Sequence, residues 1–319
     1  MRRAALVILL AAAFLQPTRL AGQDSAAKHV GVVLSDSTRD PYLAALRDGL
    51  RDRGWVQGQN LILDARYYQG QLERIPEIAA ELSSLRAEVI VIGGVPPTLA
   101  LKQAEKRIPI VVASATDPAA TGLVTPGSNV AAFNVLPPES APKQLDMLRE
   151  AVPGLRRLAL LWNGSNPASQ LNSQRVREAA QAVGISVVPL QVPGPAQIEA
   201  VLMNLRRQNV HAIFLVADPQ FFSQRKRIGE LTTATGLPTM CQESDYADAG
   251  SLMAYGASVL EMFRQSASYV DRILKGARPA DLPIGPPTPF ELVVNRRTAK
   301  AMSYAIPPAM LARANRVIN

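Results

Sequence analysis

Cysteine and histidine are nearly absent from this 319-residue chain, which carries one cysteine, Cys241, and two histidines, His29 and His211. A single thiol excludes an intramolecular disulfide, so stability must come from the apolar core. Residues 237–241 read as a buried strand, and Cys241 within it reads as a packed, inert thiol. Both histidines open apolar strand patterns, which leaves no metal triad and no serine–histidine pair. The motifs G-x-G-x-x-G and G-x-x-x-x-G-K-[ST] are missing, so the phosphate cradles of dinucleotide and P-loop sites are missing too. No two acids are singled out for acid–base work. The chain therefore reads as a non-enzyme, with no catalytic residue, metal ligand or cofactor expected.

Aromatic residues are also sparse, at 5%, and charged residues make up 19%. With 48% hydrophobic residues, this composition excludes a disordered chain and a coiled coil. The net charge of +8 comes from scattered basic residues such as Arg47, Arg51, Arg53, Arg156, Arg157, Arg206 and Arg207. Most stand beside acids on helical faces, the pattern of a solvated surface. A nucleic-acid partner would need a clustered stripe and is not expected.

The amino terminus joins a basic start, Met1-Arg2-Arg3, to an apolar run over residues 4–15 and a polar stretch over 16–28. That is the plan of a secretory signal peptide, and the run is short for a membrane span. Small residues at Ala21, Gly22 and Ala27 mark the region of cleavage, and residues 1–27 are taken as the signal. No cysteine lies nearby to carry a lipid anchor. The mature chain is expected in the periplasm, free of the membrane.

Beyond residue 28 strand and helix patterns alternate. Apolar runs at 30–34, 60–67, 89–92 and 108–113 suit buried parallel strands, and helical periodicities fill 41–55, 72–85 and 98–106. The same order restarts with strands at 155–162, 185–192, 211–216 and 237–241 and helices at 166–183, 196–207 and 221–235. Two successive βαβαβ runs imply an α/β fold of two doubly wound, Rossmann-like lobes with parallel sheets. A long helix at 258–275, a proline-rich connector and a late strand at 290–294 then suggest crossings back between lobes, which together form a hinge. Lobe one is assigned 28–134 and 257–281, lobe two 135–256 and 282–319.

Asp40-Pro41, Asp117-Pro118, Asn166-Pro167 and Asp218-Pro219 each place an acid or amide before proline. The polar side chain caps a helix start and proline fits the first helical position. Capping alone accounts for each pair. Their common place at the carboxyl edges of strands marks where open α/β sheets bind ligands, and free N–H groups at helix starts favour anions.

Further segments resemble a known family. The run Ile108-Pro109-Ile110-Val111, then Thr116-Asp117-Pro118, Thr121-Gly122-Leu123-Val124 and Asn129-Val130, resembles ABC-type substrate-binding proteins, including the tryptophan/tyrosine-importer binding proteins. So do the segments from Ala249 through Gly256, Tyr269 through Gly276, Ala280 through Pro283, Phe290 through Asn295, and Ile306-Pro307-Pro308 with Leu311-Ala312-Arg313-Ala314. The resemblance runs from about residue 29 to the end. It implies a type I periplasmic binding fold, a three-stranded hinge and a solute trapped by hinge closure for delivery to a membrane permease. Val95-Pro96, Asn129-Val130-Ala131-Ala132 and Asn163-Gly164 depart from the family's usual Thr-Pro, Asn-Val-Thr-Gly and Asn-Pro.

The expected ligand is an amino acid or a small organic anion, bound by a monomer. Lobe one is expected to line the cleft with Ser35, Asp36, Gly94, Val95, Thr116 and Asp117. Lobe two is expected to contribute Asn163, Asn166, Asp218, Asp245 and Tyr246. Backbone N–H groups near Pro96 and Pro167 would hold an anion, Asp218 or Asp245 would meet an amine, and Tyr246 would stack on an apolar part. Three alternatives share the fold or the compartment: a sensor partner of a signalling receptor, a LacI-like regulator, and a secreted glycosyl-processing enzyme. A regulator would need a DNA-binding helix pair where the signal stands.

Overall fold

Runs of β-branched and aliphatic residues build the first sheet of this computed structural model, which describes residues 27–192 and 195–319. The signal pattern lies outside the described residues but for Ala27. Strands β1 (Lys28–Leu34), β2 (Leu61–Tyr67), β3 (Val89–Gly93), β4 (Ile110–Ala115) and β5 (Val130–Asn134) pair in the order β2-β1-β3-β4-β5, all parallel. Val89, Ile90, Val91 and Ile92 of β3 are wholly buried. Their continuous apolar run follows from helices covering both faces. Helices α1 (Asp40–Arg51), α2 (Ile75–Ser84) and α3 (Val95–Ala104) link the strands.

The second sheet has seven strands, β6 (Arg157–Asn163), β7 (Ser186–Val192), β8 (Ala212–Leu215), β9 (Thr239–Cys241), β10 (Met253–Ala257), β11 (Phe290–Asn295) and β12 (Arg316–Ile318). Their order is β12-β11-β10-β9-β8-β6-β7. The remaining helices are α4 (Ser140–Ala151), α5 (Pro167–Ala182), α6 (Ile198–Asn204), α7 (Pro219–Ser223), α8 (Arg225–Thr235), α9 (Asp245–Asp248), α10 (Val259–Leu274), α11 (Arg296–Ala301) and α12 (Pro308–Arg313). No helix among the described residues is long and apolar enough to cross a membrane.

The expected two-lobe α/β fold is present, with one difference in the second sheet. β11 runs antiparallel to β10. The chain leaves β10 for the first lobe, runs through α10, and returns from the opposite end. α10 packs along α1, so closely that a Cβ on Gly49 would lie 2.4 Å from the Arg264 carbonyl oxygen. The first lobe also keeps a few residues beyond 281: Gly285 bridges to Phe133, at the edge of the first sheet. The chain thus crosses between sheets after Asn134, after Ala257 and after Gly285. β5, α4, β10 and β12 are elements that periodicity did not single out.

Candidate functional site

The carboxyl ends of the two sheets face one another, and the residues there are positioned by loops and helix starts. Two small cavities lie between the lobes, each enclosing about 50 Å³. The first is walled by Ser35, Arg39, Gly94 and Ser114 from one lobe and by Pro219 and Glu243 from the other, with Tyr68 and Phe263 beside them. The second lies between Tyr68, Pro96 and Pro97 on one side and Asn163, Ser165, Asn166, Asp218 and Gln220 on the other. Each holds the volume of a few water molecules, so the lobes stand close together.

Several contacts bridge them. The Arg175 guanidinium on α5 donates to Asp117 Oδ2 at 2.5 Å. Tyr42 Oη on α1 donates to Asp245 Oδ1 at 2.5 Å. Asn172 Nδ2 donates to Thr116 Oγ1 at 3.4 Å. Arg39 stacks its guanidinium over the Phe222 ring of α7, 3.1 Å from the centroid, and lies 4.7 Å from the Tyr42 centroid. This places a cation on two aromatic faces.

Asp218 shows how local sequence and tertiary contacts combine. As the cap of α7 its Oδ1 accepts from the backbone N–H groups of Gln220 (2.9 Å) and Phe221 (3.2 Å). Its Oδ2 accepts from Asn163 Nδ2 (3.0 Å) and Asn166 Nδ2 (2.8 Å). Four donors occupy the four acceptor positions of a carboxylate. Burial still pushes its pKa up against these bonds. Asn166 in turn caps α5 through the Ala168 N–H, and Asn163 Oδ1 accepts from Ser165 N–H, each at 2.9 Å. This buried triad shapes one cavity wall, and its geometry leaves Asp218 no free acceptor for an amine.

Glu243 is in the opposite condition. It follows β9 by two residues and is half-buried in the cavity wall, and its Oε2, shielded from solvent, has no hydrogen-bond partner. Burial pushes its pKa up to about 7, and the Arg39 and Arg225 charges pull it down less than burial and the Asp245 and Asp218 charges raise it.

Of the residues expected in the cleft, Ser35, Gly94, Asn163, Asn166 and Asp218 line a cavity. Asp36 sits beside them, accepting from the Ser35 hydroxyl at 3.1 Å. Thr116, Asp117 and Asp245 stand in contacts between lobes rather than at a cavity. Val95 buries its side chain in the first lobe's core. Tyr246 is wholly buried, its ring at right angles to Phe222 with centroids 5.9 Å apart, so its faces are packed within the protein rather than open to a ligand. The four acid- or amide-proline pairs also divide. Asn166 and Asp218 cap helices, and Asp117 caps only a turn through Ala120 N–H at 3.1 Å. Asp40 is already inside α1 and accepts from Tyr67 Oη at 2.5 Å. The start of α3 offers few free donors, because Pro96 and Pro97 carry no N–H.

Arg39, Tyr68 and Glu243 were not among the expected residues. The rule that strand carboxyl edges carry ligand contacts points to Glu243, the first acid after the strand ending at Cys241. Arg39 and Tyr68 follow β1 and β2 in the same way. Among the described residues no group of three His, Cys, Asp or Glu side chains is placed to hold a metal. Cys241 is wholly buried, and its thiol is pushed up to about 12.

Comparisons agree with this architecture. A tyrosine-binding protein of Clostridioides difficile is 22% identical over 283 residues, 86% of this chain and 81% of that one. Among solved structures, a conserved domain protein from Vibrio cholerae superposes with a TM-score of 0.84 at 24% identity, over 91% of this chain and 99% of that one. A Streptococcus ABC domain in complex with L-Trp gives 0.84 at 22% identity, over 92% and 100%. The family model for ABC transporter substrate binding proteins matches residues 29–318, and the chain belongs to that family.

Proposed function

We propose that this chain captures a small solute, an amino acid or a small organic anion, between its lobes outside the cytoplasm and passes it to the permease of an ABC importer. The observation that carries this reading is the facing pair of sheet edges. They enclose small cavities, are bridged by Arg175–Asp117 and Tyr42–Asp245, and among the described residues the chain joins them through the crossings near residues 134, 257 and 285. Such a body opens by rotating one lobe against the other, and a solute that touches both lobes favours the closed form. The present cavities are smaller than an aromatic amino acid, so capture requires opening. A bound solute of that size would hold the lobes farther apart than they stand here. The relatives named for tyrosine and L-Trp support an amino acid as the solute class, and the amino-terminal pattern supports export.

The test is small-angle scattering and isothermal titration on the mature chain with a panel of amino acids and organic acids. At least one should bind with a measurable heat and change the scattering profile. A profile that no solute alters, with no heat from any, would refute the reading. Copurification with a membrane permease tests the transport role separately.

A further inference from the structure

Among the acids at the cleft, four are already engaged, one of them Asp36, which accepts from the Ser35 hydroxyl. Asp218 accepts four hydrogen bonds, Asp117 accepts from Arg175 and from Ala120 N–H, and Asp245 accepts from Tyr42. Glu243 differs from all of them. Its side chain is half-buried in the wall of the first cavity, and Oε2, shielded from solvent, has no donor within hydrogen-bond distance. A carboxyl oxygen shielded from water with no donor is costly unless something completes it. Packing has not closed the space around it. The opposite lobe sets Arg39 into the same cavity, held over Phe222 and Tyr42.

We infer that Glu243 is the counter-ion for a protonated amine of the captured solute, bound in the cavity that Arg39 shares. This rests on the capture reading above and narrows it to cationic or zwitterionic solutes. A carboxylate on the same solute would face Arg39. An ammonium at Glu243 supplies the missing donor and offsets the desolvation of the carboxylate. Solute binding near neutral pH should then release a proton from Glu243, because the ammonium favours the charged carboxylate. The charged groups acting on this position are Arg39 from the turn before α1, Arg225 from α8, Asp218 before α7, and Asp245 from α9.

The experiment uses the mature chain and the E243Q variant with free amino acids, including L-tryptophan and L-tyrosine. Indole-3-propionate, which lacks the amine, and tryptamine, which lacks the carboxylate, are included, with the corresponding analogues of whichever amino acid binds best. Titrations in two buffers of different ionisation heat report proton release. The expected result is an amine-bearing best binder, its deaminated analogue weaker by at least about 30-fold, and E243Q weaker for the amine by a similar factor. Proton release between pH 6 and 7 should vanish in E243Q, a readout that a merely structural role would not move. E243D, which keeps the charge on a shorter stem, should fall between. Thermal midpoints of the variants no lower than wild type show that they fold. The inference is overturned if the best binder lacks an amine, if no amine in the panel binds, or if E243Q matches wild type in affinity and proton release. Failure of the capture reading is distinguishable: no solute of any charge would then change the scattering.

Discussion

Replacing Glu243 with glutamine keeps the shape of the side chain and deletes its titration. Compared without solute, the two chains should therefore differ in stability through one proton. In the unfolded chain the carboxyl group has its ordinary value of 4.5; in the folded chain burial pushes it up to about 7. Below pH 4.5 both states hold the proton, and the chains should be alike. Between 4.5 and about 7 the unfolded state releases the proton and the folded state keeps it, so wild-type stability falls as pH rises. Above about 7 both states are ionised and the deficit stops growing. At about 1.4 kcal/mol per pH unit it amounts to roughly 3 kcal/mol. Asp218 is also raised by burial, and both chains share that contribution apart from the repulsion between Asp218 and Glu243, which only the wild type has. Urea unfolding at intervals from pH 4 to 8.5 measures this difference. E243Q should gain on wild type from pH 4.5 to about 7 and hold a constant advantage beyond. Parallel stability curves, or an advantage that grows toward low pH, would refute the picture of a carboxyl oxygen shielded from water without a partner.

Two further substitutions probe the closed form. Gly94 has φ +87°, and a Cβ there would lie 2.9 Å from Pro219 Cγ across the cleft. Gly94→Ala should lose about 1–3 kcal/mol of stability from the backbone alone. It should also enlarge the solute-free particle in scattering, because only the closed form meets Pro219. Arg175→Met removes the ion pair to Asp117, whose partners are 15% and 21% exposed at the side chain. Between exposed and buried pairs this predicts a loss of about 1–2 kcal/mol from closure alone. It should appear as a larger solute-free radius of gyration and solute binding weaker by roughly 5- to 30-fold. An unchanged profile for either variant would mean that the corresponding contact does not favour closure.

The chain's local pattern determined much of this protein. Apolar runs such as Val89 to Ile92 announce buried parallel strands, and Asn166 and Asp218 cap helices because the residues two and three places on supply the N–H groups. The alternation of elements was enough for two doubly wound lobes. β5 was missed because Ala131 and Ala132 are weak strand formers that are buried only once β4 lies beside them. β12 is short and pairs with a strand more than twenty residues earlier, which periodicity does not reveal.

The chemistry of the cleft was decided by the tertiary structure. Asp218, Asp245 and Glu243 are equivalent in the sequence, all acids near the ends of lobe-two strands. Asn163 and Asn166 arrive from another strand end to fill Asp218, and Tyr42 reaches from the other lobe to Asp245. No donor reaches Glu243 Oε2. Capping is a bond between near neighbours, so the sequence states it. Whether a buried carboxylate has a spare acceptor depends on donors brought from 52, 55 or 203 positions away, and only folding decides which of them arrive.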